Sequence, residues 1–365
     1  MNWKRISVGL VLLGCLIVIP DLQAQKTAIN WYFGNEAGLS FDERYPMPVT
    51  DGKTHTLEGV ATVSDSLGNL LFYTDGITVW NANHEIIGGD LMGHPSSTMS
   101  ANVLPSRINS DQYMLFTTTA IVNGEELPDG GHYYMLDFSE NNPGGEIIAD
   151  YNSMGTGPIQ LKSTEKFTGI PYPESLFSDD LKPGYWIITH EFDRFSFQIS
   201  QFDDHWISGF TKETGVQHSN GIGDMGANKG ATGQMKATIH GDKIAVAIEG
   251  QQVFQVFNFN KETGSLSNYP FTLPAGDPDH RKEKIYGAYG VEFSPSGRFV
   301  YGTSRDGGTL YQWDLEGTNV VEEVYILRHN PDKPCGSLQL APNGKIYLAI
   351  NGQDYLGVIN RPDRF

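Results

Sequence analysis

Short runs of β-branched and aromatic residues, each preceded by a Gly, Asn or Asp turn, recur six times along the chain. Each run is trailed by a second one, and a helical period is nearly absent, which predicts strand–turn–strand units rather than helices. Repeats of this kind are typical of a radial all-β array. The turn positions are Gly68, Asp111, Gly184, Gly241, Gly297 and Gly344, and the runs that follow them are 69–73, 112–116, 185–188, 243–246, 298–301 and 345–348.

The spacing of these turns predicts a β-propeller. Successive turns are 43, 73, 57, 56 and 47 residues apart, and a four-stranded blade takes about 40–50 residues. We therefore expect an all-β, seven-bladed ring in its complete form, with six recognisable repeats here and the last one incomplete. Predicted inner strands are 59–64, 98–104, 232–239, 290–294 and 337–340, and weaker fourth strands are 146–149 and 320–327.

Three longer segments, 141–174, 212–233 and 270–286, read as insertions between the outer strand of one blade and the inner strand of the next. In a propeller such connections gather on one face, around the mouth of the central channel. Because variable loops on a rigid scaffold usually carry binding residues, this face is the predicted site of function.

The first 24 residues predict a secretory signal peptide. Lys4 and Arg5 precede an apolar stretch, 6–19, which is too short to span a membrane and is followed by a small-residue cleavage site at 22–24. Residues 12–15 also resemble a lipobox that would attach Cys15 to a membrane, and this alternative stays open. We expect an exported protein, extracellular or at the cell surface, that does not span a membrane.

Charge and cysteine content narrow the classes of partner. The whole chain carries a net charge of −18, and removing Lys4, Arg5 and Asp21 with the signal makes it −19. Binding to nucleic acid is excluded on this ground, because it requires Lys and Arg to neutralise phosphates. After cleavage only Cys335 remains, so no internal disulfide forms, and it is either a buried thiol or has a partner elsewhere.

Several blocks resemble the N-terminal propeller region of secreted Bacteroidetes proteins, which is similar to the YVTN and WD40-like types. The blocks are 31–35, 57–59, 72–76, 79–81, 96–98, 291–295 and 337–342. Members of that family often continue into PKD-like domains and a gliding-motility-associated C-terminal region, which addresses them to the type IX secretion system. The resemblance implies a module of a larger secreted or cell-surface protein.

The domain interpretation is a signal peptide at 1–24 and one propeller at 25–365, truncated at its C-terminal end. The sixth repeat lacks a fourth strand, and no PKD-like domain or sorting signal follows it. Alternatively, Asn30–Phe33 closes the ring as an outer strand of the last blade.

The predicted loop-rich face and the flanks of the inner strands contain the candidate binding residues. They are Glu58, His94, Ser97, Glu174, Trp206, Asp224, Asp277, Asp279 and His280. Acidic residues near the inner strands, including Glu191 and Glu292, are expected mostly to act as caps or to form structural hydrogen bonds. The segment His94–Thr98 is expected mostly to bond the backbone of the neighbouring blade and so brace the ring. Trp80, Trp186 and Trp313 lie in predicted strands and should pack between blades, whereas Trp206 lies at a strand end.

Local motifs do not identify a reaction. The G-x-G-x-x-G pattern at 221–226 lacks a following helix, so we expect a loop rather than a nucleotide site. Residues 304–308 resemble one poor copy of the Asp box, a structural turn of sialidase-like propellers. No cofactor and no catalytic residue is predicted, although a weak Ca²⁺ site around Asp277–His280 stays open.

The predicted function is therefore recognition. A non-enzymatic propeller would bind extracellular polysaccharide, protein or further domains of the same full-length chain through its loop-rich face. Two alternatives remain: a lactonase-like or glycan-cleaving hydrolase with acids at the channel mouth, and a structural spacer. The fold alone does not decide function in this architecture. Three or more titratable groups converging in one central pocket would favour the enzyme.

Overall fold

The computed structural model describes residues 26–43, 45–122, 125–126, 132–152, 163–178, 181–218, 230–274, 287–305, 308–316, 323–327 and 333–364. These residues form seven small antiparallel sheets, or blades, in a ring, which confirms the predicted β-propeller. The only helices among them are two single-turn 3₁₀ segments, Glu174–Leu176 and Glu249–Gln251.

The blades are numbered in chain order. Blade 1 contains β1 (Asn30–Phe33), β2 (Ala37–Ser40) and β3 (Met47–Val49), and blade 2 contains β4 (Ala61–Ser64), β5 (Leu70–Thr74), β6 (Val79–Asn81) and β7 (Ile86–Gly88). Blade 3 contains β8 (Ala101–Pro105), β9 (Gln112–Thr117), β12 (His132–Asp137) and β13 (Glu146–Asn152), with a separate hairpin of β10 (Ile121–Val122) and β11 (Glu125–Glu126) between β9 and β12. Blade 4 contains β14 (Ser163–Pro171), β15 (Tyr185–Glu191), β16 (Ser196–Phe202) and β17 (Trp206–Glu213).

The remaining blades complete the ring. Blade 5 contains β18 (Met235–Ala237), β19 (Lys243–Ile248), β20 (Val253–Asn260) and β21 (Ser265–Pro274), and blade 6 contains β22 (Ala288–Phe293), β23 (Phe299–Ser304), β24 (Thr309–Asp314) and β25 (Glu323–Leu327). Blade 7 contains β26 (Cys335–Leu340), β27 (Ile346–Ile350) and β28 (Gly357–Ile359).

All six predicted turns join the first two strands of blades 2 to 7. Gly297 and Gly344 show why glycine is used there, since they have φ of +71° and +73°, a left-handed conformation that other residues adopt at a cost. The predicted inner strands correspond to β4, β8, β18, β22 and β26, and the predicted fourth strands to β13 and β25.

Blade 1 contradicts the expectation that Asn30–Phe33 closes the last blade as an outer strand. These residues form β1, which pairs with β2 after the turn at Gly34. On one side Tyr32 N donates to Thr62 Oγ1 of blade 2 (2.9 Å), and on the other the Trp31 ring lies 5.6 Å from that of Tyr347 in blade 7. The segment therefore begins a separate blade, blade 1, which raises the number of blades from the six recognised repeats to seven. It lies between blade 2 and blade 7.

The predicted insertion 141–174 is also partly wrong, because besides the predicted fourth strand, β13, it contains the inner strand β14. Strand β14 is the inner strand of blade 4 and is buried along most of its length. Its first residues, Ser163 to Lys166, are polar and were therefore read as loop. Their polarity is explained by their position at the channel, described below.

Apolar side chains between neighbouring blades make up the core. Trp80, Trp186 and Trp313 are buried in strands, as predicted. Trp313 stacks on Tyr311 with ring centroids 5.4 Å apart and reaches Phe254 of blade 5 at 5.0 Å. Such apolar and aromatic layers join neighbouring blades.

Each blade places its loops on two faces. The connection face carries the outer-to-inner connections and the turns between second and third strands, and includes 50–60, 89–100, 192–195, 214–218 and 230–234. The turn face carries the turns between first and second strands, such as 65–69 and 106–111.

Candidate functional site

The segment Ser97–Ser100 enters the centre of the ring on the connection face. Ser97 O accepts a hydrogen bond from Gly59 N (3.1 Å), and Ser97 Oγ bonds to Thr118 Oγ1 (2.9 Å). A Cβ at Gly59 would collide with the backbone of Met99 and Ser100, so the close approach requires glycine there. Met235 N also points to the sulfur of Met99 (3.4 Å). The segment thus joins blades 2, 3 and 5 and partly fills the channel.

Thr98 connects three blades through its hydroxyl and backbone. Its N–H and Oγ1–H both donate to Oε2 of the buried Glu165, at 2.8 and 2.7 Å. Its Oγ1 accepts from Gly233 N at 3.1 Å. Glu165 lies at the start of β14, and Gly233 just before β18, so blades 3, 4 and 5 meet at this residue.

Lys166 is completely buried and fixes the end of the connection from blade 4 to blade 5. Its Nζ donates to the carbonyl oxygens of Ala231 (2.6 Å), Thr232 (3.0 Å) and Gly230 (3.3 Å). Three carbonyl acceptors use all three protons of the ammonium. Glu165 N also donates to Ala231 O (3.3 Å), so this connection is held from two neighbouring residues of β14.

Arg305, just after β23, lies between two carboxylates that come from other blades. Its Nη1 is 3.5 Å from Glu58 Oε1 and 4.0 Å from Glu249 Oε2. The guanidinium lies over the ring of Tyr289, 5.2 Å from its centroid, in the geometry of a cation–π contact. Glu249 is fully buried, the Glu58 side chain is 9% exposed, and Arg305 is 39% exposed.

Together these residues form one network, called the mouth cluster. Its members are Glu58, Thr98, Glu165, Lys166, Glu249, Tyr289 and Arg305, which come from five consecutive parts of the ring. Three carboxylates face two cations here, so the charges are nearly balanced within the cluster.

Burial shifts the pKa values of the cluster. Burial, and then the nearby Glu165 carboxylate, raise the pKa of Glu58 to about 7, against the opposing effect of Arg305. Burial raises the pKa of Glu165 although the bonds from Thr98 favour its charged form, and burial lowers the pKa of Lys166. Perturbed groups gathered in one place are a mark of functional sites, although structural networks produce them as well.

A second polar belt lies deeper in the channel and is structural. Gln234 Oε1 accepts from Val291 N (3.2 Å) and Leu338 N (3.0 Å), joining blades 5, 6 and 7. Glu292 accepts from Phe293 N and Leu340 N, both at 2.9 Å. The expectation that Glu292 bonds the backbone is therefore met.

The predicted site residues divide into three groups. Glu58, His94 and Ser97 lie on the connection face, where Glu58 joins the mouth cluster and Ser97 braces it; His94 Nδ1 accepts from Ser96 N at 3.1 Å. Trp206 is the first residue of β17, and its side chain lies outside the described part of the chain. The signal segment, the 221–226 motif, Asp224, Asp277, Asp279 and His280 also lie outside the described residues.

Glu174 was assigned to the wrong face. It begins the 3₁₀ turn between β14 and β15, and it is exposed. Because 141–174 was treated as one connection, the strand β14 within it was missed. Glu174 therefore follows the inner strand instead of preceding it, and lies on the turn face.

Sequence reasoning missed Glu165, Lys166, Glu249, Tyr289 and Arg305. Only one of them had a usable signal: Glu249 directly follows the apolar strand β19 on the side of the connection face. Within the described residues, no group of three or more His, Cys, Asp or Glu side chains is placed to hold a metal ion. A search of the same residues for a helix long and apolar enough to cross a membrane also found none.

Comparison with known proteins supports the fold and no more. No family model and no curated protein matches the sequence. The β-propeller domain of Cps50 (Swd1) from Myceliophteria thermophila is 10% identical with a TM-score of 0.53, covering 92% of this chain and 97% of that one. Kluyveromyces lactis Hsv2 is 9% identical over 91% and 90% of the two chains (TM-score 0.45), and the periplasmic gluconolactonase PpgL of Pseudomonas aeruginosa 12% identical over 80% and 74% (TM-score 0.44). At these identities only the propeller fold is shared.

Proposed function

We propose that this chain is a non-enzymatic recognition propeller that binds an extracellular polysaccharide or protein through its connection face. The observation that carries the proposal is the burial of the mouth cluster. All three of Glu165, Lys166 and Glu249 are buried: Glu165 accepts from Thr98, Lys166 donates to backbone carbonyls, and Glu249 lies 4.0 Å from Arg305 Nη1. They therefore fix loops instead of meeting a substrate. On the connection face, Leu57 is 91% exposed and Arg305 is partly exposed.

The accessibility of the carboxylates weighs against hydrolysis. A glycosidase needs two carboxyl groups that both reach the scissile bond, about 5–10 Å apart. Glu58 Oε1 and Glu249 Oε2 both lie within 4.0 Å of Arg305 Nη1, so their separation alone would permit this. However, Glu249 and Glu165 are buried, and only Glu58 reaches the surface with a small part of its side chain.

Rigid loops favour binding because little conformational freedom is lost when a ligand arrives. Segments 97–100 and 230–233 are each held by several hydrogen bonds to other blades. Exposed Leu57, which precedes Glu58 in the sequence, and partly exposed Arg305, which lies over the Tyr289 ring, offer apolar and polar contacts respectively. Arginine and aromatic residues are common at the centres of protein interfaces.

The test is direct binding of the purified chain to a panel of purified neutral and acidic polysaccharides and extracellular proteins. Leu57→Glu changes the connection face, and Leu67→Glu is the matched control, because Leu67 is 71% exposed in a turn of the opposite face. We expect Leu57→Glu to weaken binding at least tenfold and Leu67→Glu to leave it unchanged. Equal effects of the two changes, or no binding to any member of the panel, would argue for a structural spacer.

One observation favours a second candidate, a lactonase-like or glycan-cleaving enzyme. A carboxyl group whose pKa is about 7, as in Glu58, suits a general acid at neutral pH. This candidate predicts hydrolysis of a lactone or glycoside panel by the wild type, and at least a hundredfold loss in Glu58→Gln. Turnover that is absent from the wild type eliminates it.

Export and attachment to a larger surface protein belong to the proposal on sequence grounds. The basic, apolar and small-residue regions of 1–24 support cleavage after Ala24, and the Bacteroidetes-like blocks support a secreted context. N-terminal sequencing of protein recovered from the medium or cell surface should begin at Gln25. Recovery of uncleaved protein from the cell interior would contradict export.

A further inference from the structure

Two histidines of blade 4 are stacked in the interior, beside the mouth cluster. The rings of His190 and His218 have centroids 3.3 Å apart and an interplanar angle of 13°, and both side chains are completely buried. His190 Nδ1–H donates to the carbonyl of Glu191 (2.7 Å), which leaves a lone pair on Nε2. Within the described residues, His190 Nε2 and both ring nitrogens of His218 have no hydrogen-bond partner.

The backbone of His218 closes the turn between β15 and β16. His218 N donates to Arg194 O, and His218 O accepts from Asp193 N, both at 3.0 Å. Gln217 Nε2 adds bonds to Asp193 O (2.9 Å) and Asp193 Oδ1 (3.0 Å). His218 thus fixes the start of the connection from blade 4 to blade 5, whose end is held by Lys166.

The surroundings of the pair disfavour a positive charge. The positive charge of Lys166 on β14 acts on both rings, and the Phe197 ring of β16 lies edge-on to His190, with centroids 4.5 Å apart. The Glu191 carboxylate is directed to Arg194 Nε (3.8 Å), and the Asp193 carboxylate is bound by Gln217. Glu249 acts on Lys166 from the end of β19.

We propose that the stacked His190–His218 pair is an acid-sensitive latch, which holds the start of the blade 4 to blade 5 connection closed at neutral pH and opens it when a proton enters. The inference goes beyond the proposed function and does not depend on the identity of a ligand. Protonation of either ring would place a buried cation against its stacked neighbour and near Lys166, and no described residue is placed to accept a hydrogen bond from the new N–H. Opening to water removes this penalty.

The sign of the effect follows from linkage. Burial, and then the nearby Lys166, hold the pKa of His190 well below its usual range; for His218 the causes are burial, His190 and Lys166. An opened histidine takes up a proton below its ordinary pKa of about 6.5, whereas the closed pair remains neutral. Each such histidine raises the equilibrium constant for opening by up to about tenfold for each pH unit of acidification. The two histidines together raise it by up to about a hundredfold per pH unit. The latch is therefore fully effective above pH 7 and weakens as the pH falls below 6.5.

Hydrogen exchange on the full chain measures this opening. Protection factors, which already remove the intrinsic pH dependence of exchange, would be followed from pH 7.5 to 5.0 in peptides covering 186–198 and 212–218. We expect them to change little above pH 7 and to fall more than tenfold per pH unit below about pH 6, while peptides of blade 2 keep their protection. His218→Phe should reduce the slope to that of one proton at most, and His190→Phe with His218→Phe should abolish it. His240→Phe, an exposed histidine of the turn face, is the control and should behave as the wild type.

A wild-type measurement keeps the proposal falsifiable if the double variant does not fold. With ¹³C-labelled histidine, two of the ten ring signals should fail to titrate in the closed state and change only as the exchange-competent state becomes populated. Ordinary titration of all ten near pH 6.5, with protection unchanged, would overturn the latch. So would a double variant with the same acid-dependent opening as the wild type.

Discussion

Thr98→Val is the sharpest test of the view that the channel mouth joins separate blades. Valine has nearly the shape of threonine and removes only the hydroxyl, whose proton is bonded to Glu165 and whose oxygen accepts from Gly233 N. The first bond, to a buried carboxylate, contributes about 1.5–3 kcal/mol. Leaving the Gly233 N–H without an acceptor costs about 1–3 kcal/mol more. We expect the free energy of unfolding to fall by about 2.5–6 kcal/mol.

Thr98→Ser is the matched control, because it keeps the hydroxyl and removes one buried methyl group, at a cost of about 1 kcal/mol. Urea unfolding at pH 8 measures the free energy of unfolding of each variant and of the wild type. The comparison is valid if the slope of this free energy against urea concentration is the same for all three proteins. The free energies of unfolding of the two variants should differ by at least about 1.5 kcal/mol. If Thr98→Val lowers the free energy of unfolding no more than Thr98→Ser does, the Thr98 hydroxyl does not join blades 3, 4 and 5.

Two further changes test the charges and the core. Glu58→Gln should alter the pH dependence of stability: because the pKa of Glu58 is raised to about 7 in the folded state, its protonation between pH 7 and 4.5 adds about 3 kcal/mol to the stability of the wild type relative to the glutamine variant. Urea unfolding of both proteins at pH 8 and pH 5 measures this, and parallel pH profiles would refute it. Trp313→Ala should cost about 3–5 kcal/mol in the free energy of unfolding, because Trp313 is buried between Tyr311 and Phe254. Phe210→Ala, at an exposed position of blade 4, is the control and should cost less than 1 kcal/mol.

The fold was predictable because its signal is local. A turn residue such as Gly297 or Gly344, followed by an apolar run, is specified by a few neighbouring positions. Blade 1 escaped detection because its strands are only three or four residues long. Strand β14 escaped because its first four residues are polar and buried, which is the reverse of the usual pattern.

The site was less predictable because its residues depend on partners far away in the sequence. Thr98 and Glu165 are 67 positions apart, and Thr98 and Gly233 are 135 apart. No local pattern distinguishes such a glutamate from one exposed to solvent. Glu58 and Ser97 were found because a loop entering an inner strand must reach the channel, which is a property of the fold rather than of the residue.

Buried charge is an unfavourable way to stabilise a fold, since the loss of hydration often exceeds the attraction that replaces it. The ring already has apolar layers between its blades, such as the one around Trp313. The charges of Glu165, Lys166 and Glu249 are confined to one end of the channel, where apolar contacts are replaced by hydrogen bonds that set the positions of the loops. Each of these bonds has a required direction, whereas apolar packing tolerates small displacements. The mouth cluster therefore sets the exact shape of the connection face as well as adding to the stability of the ring, and a fixed shape is what the proposed recognition surface requires.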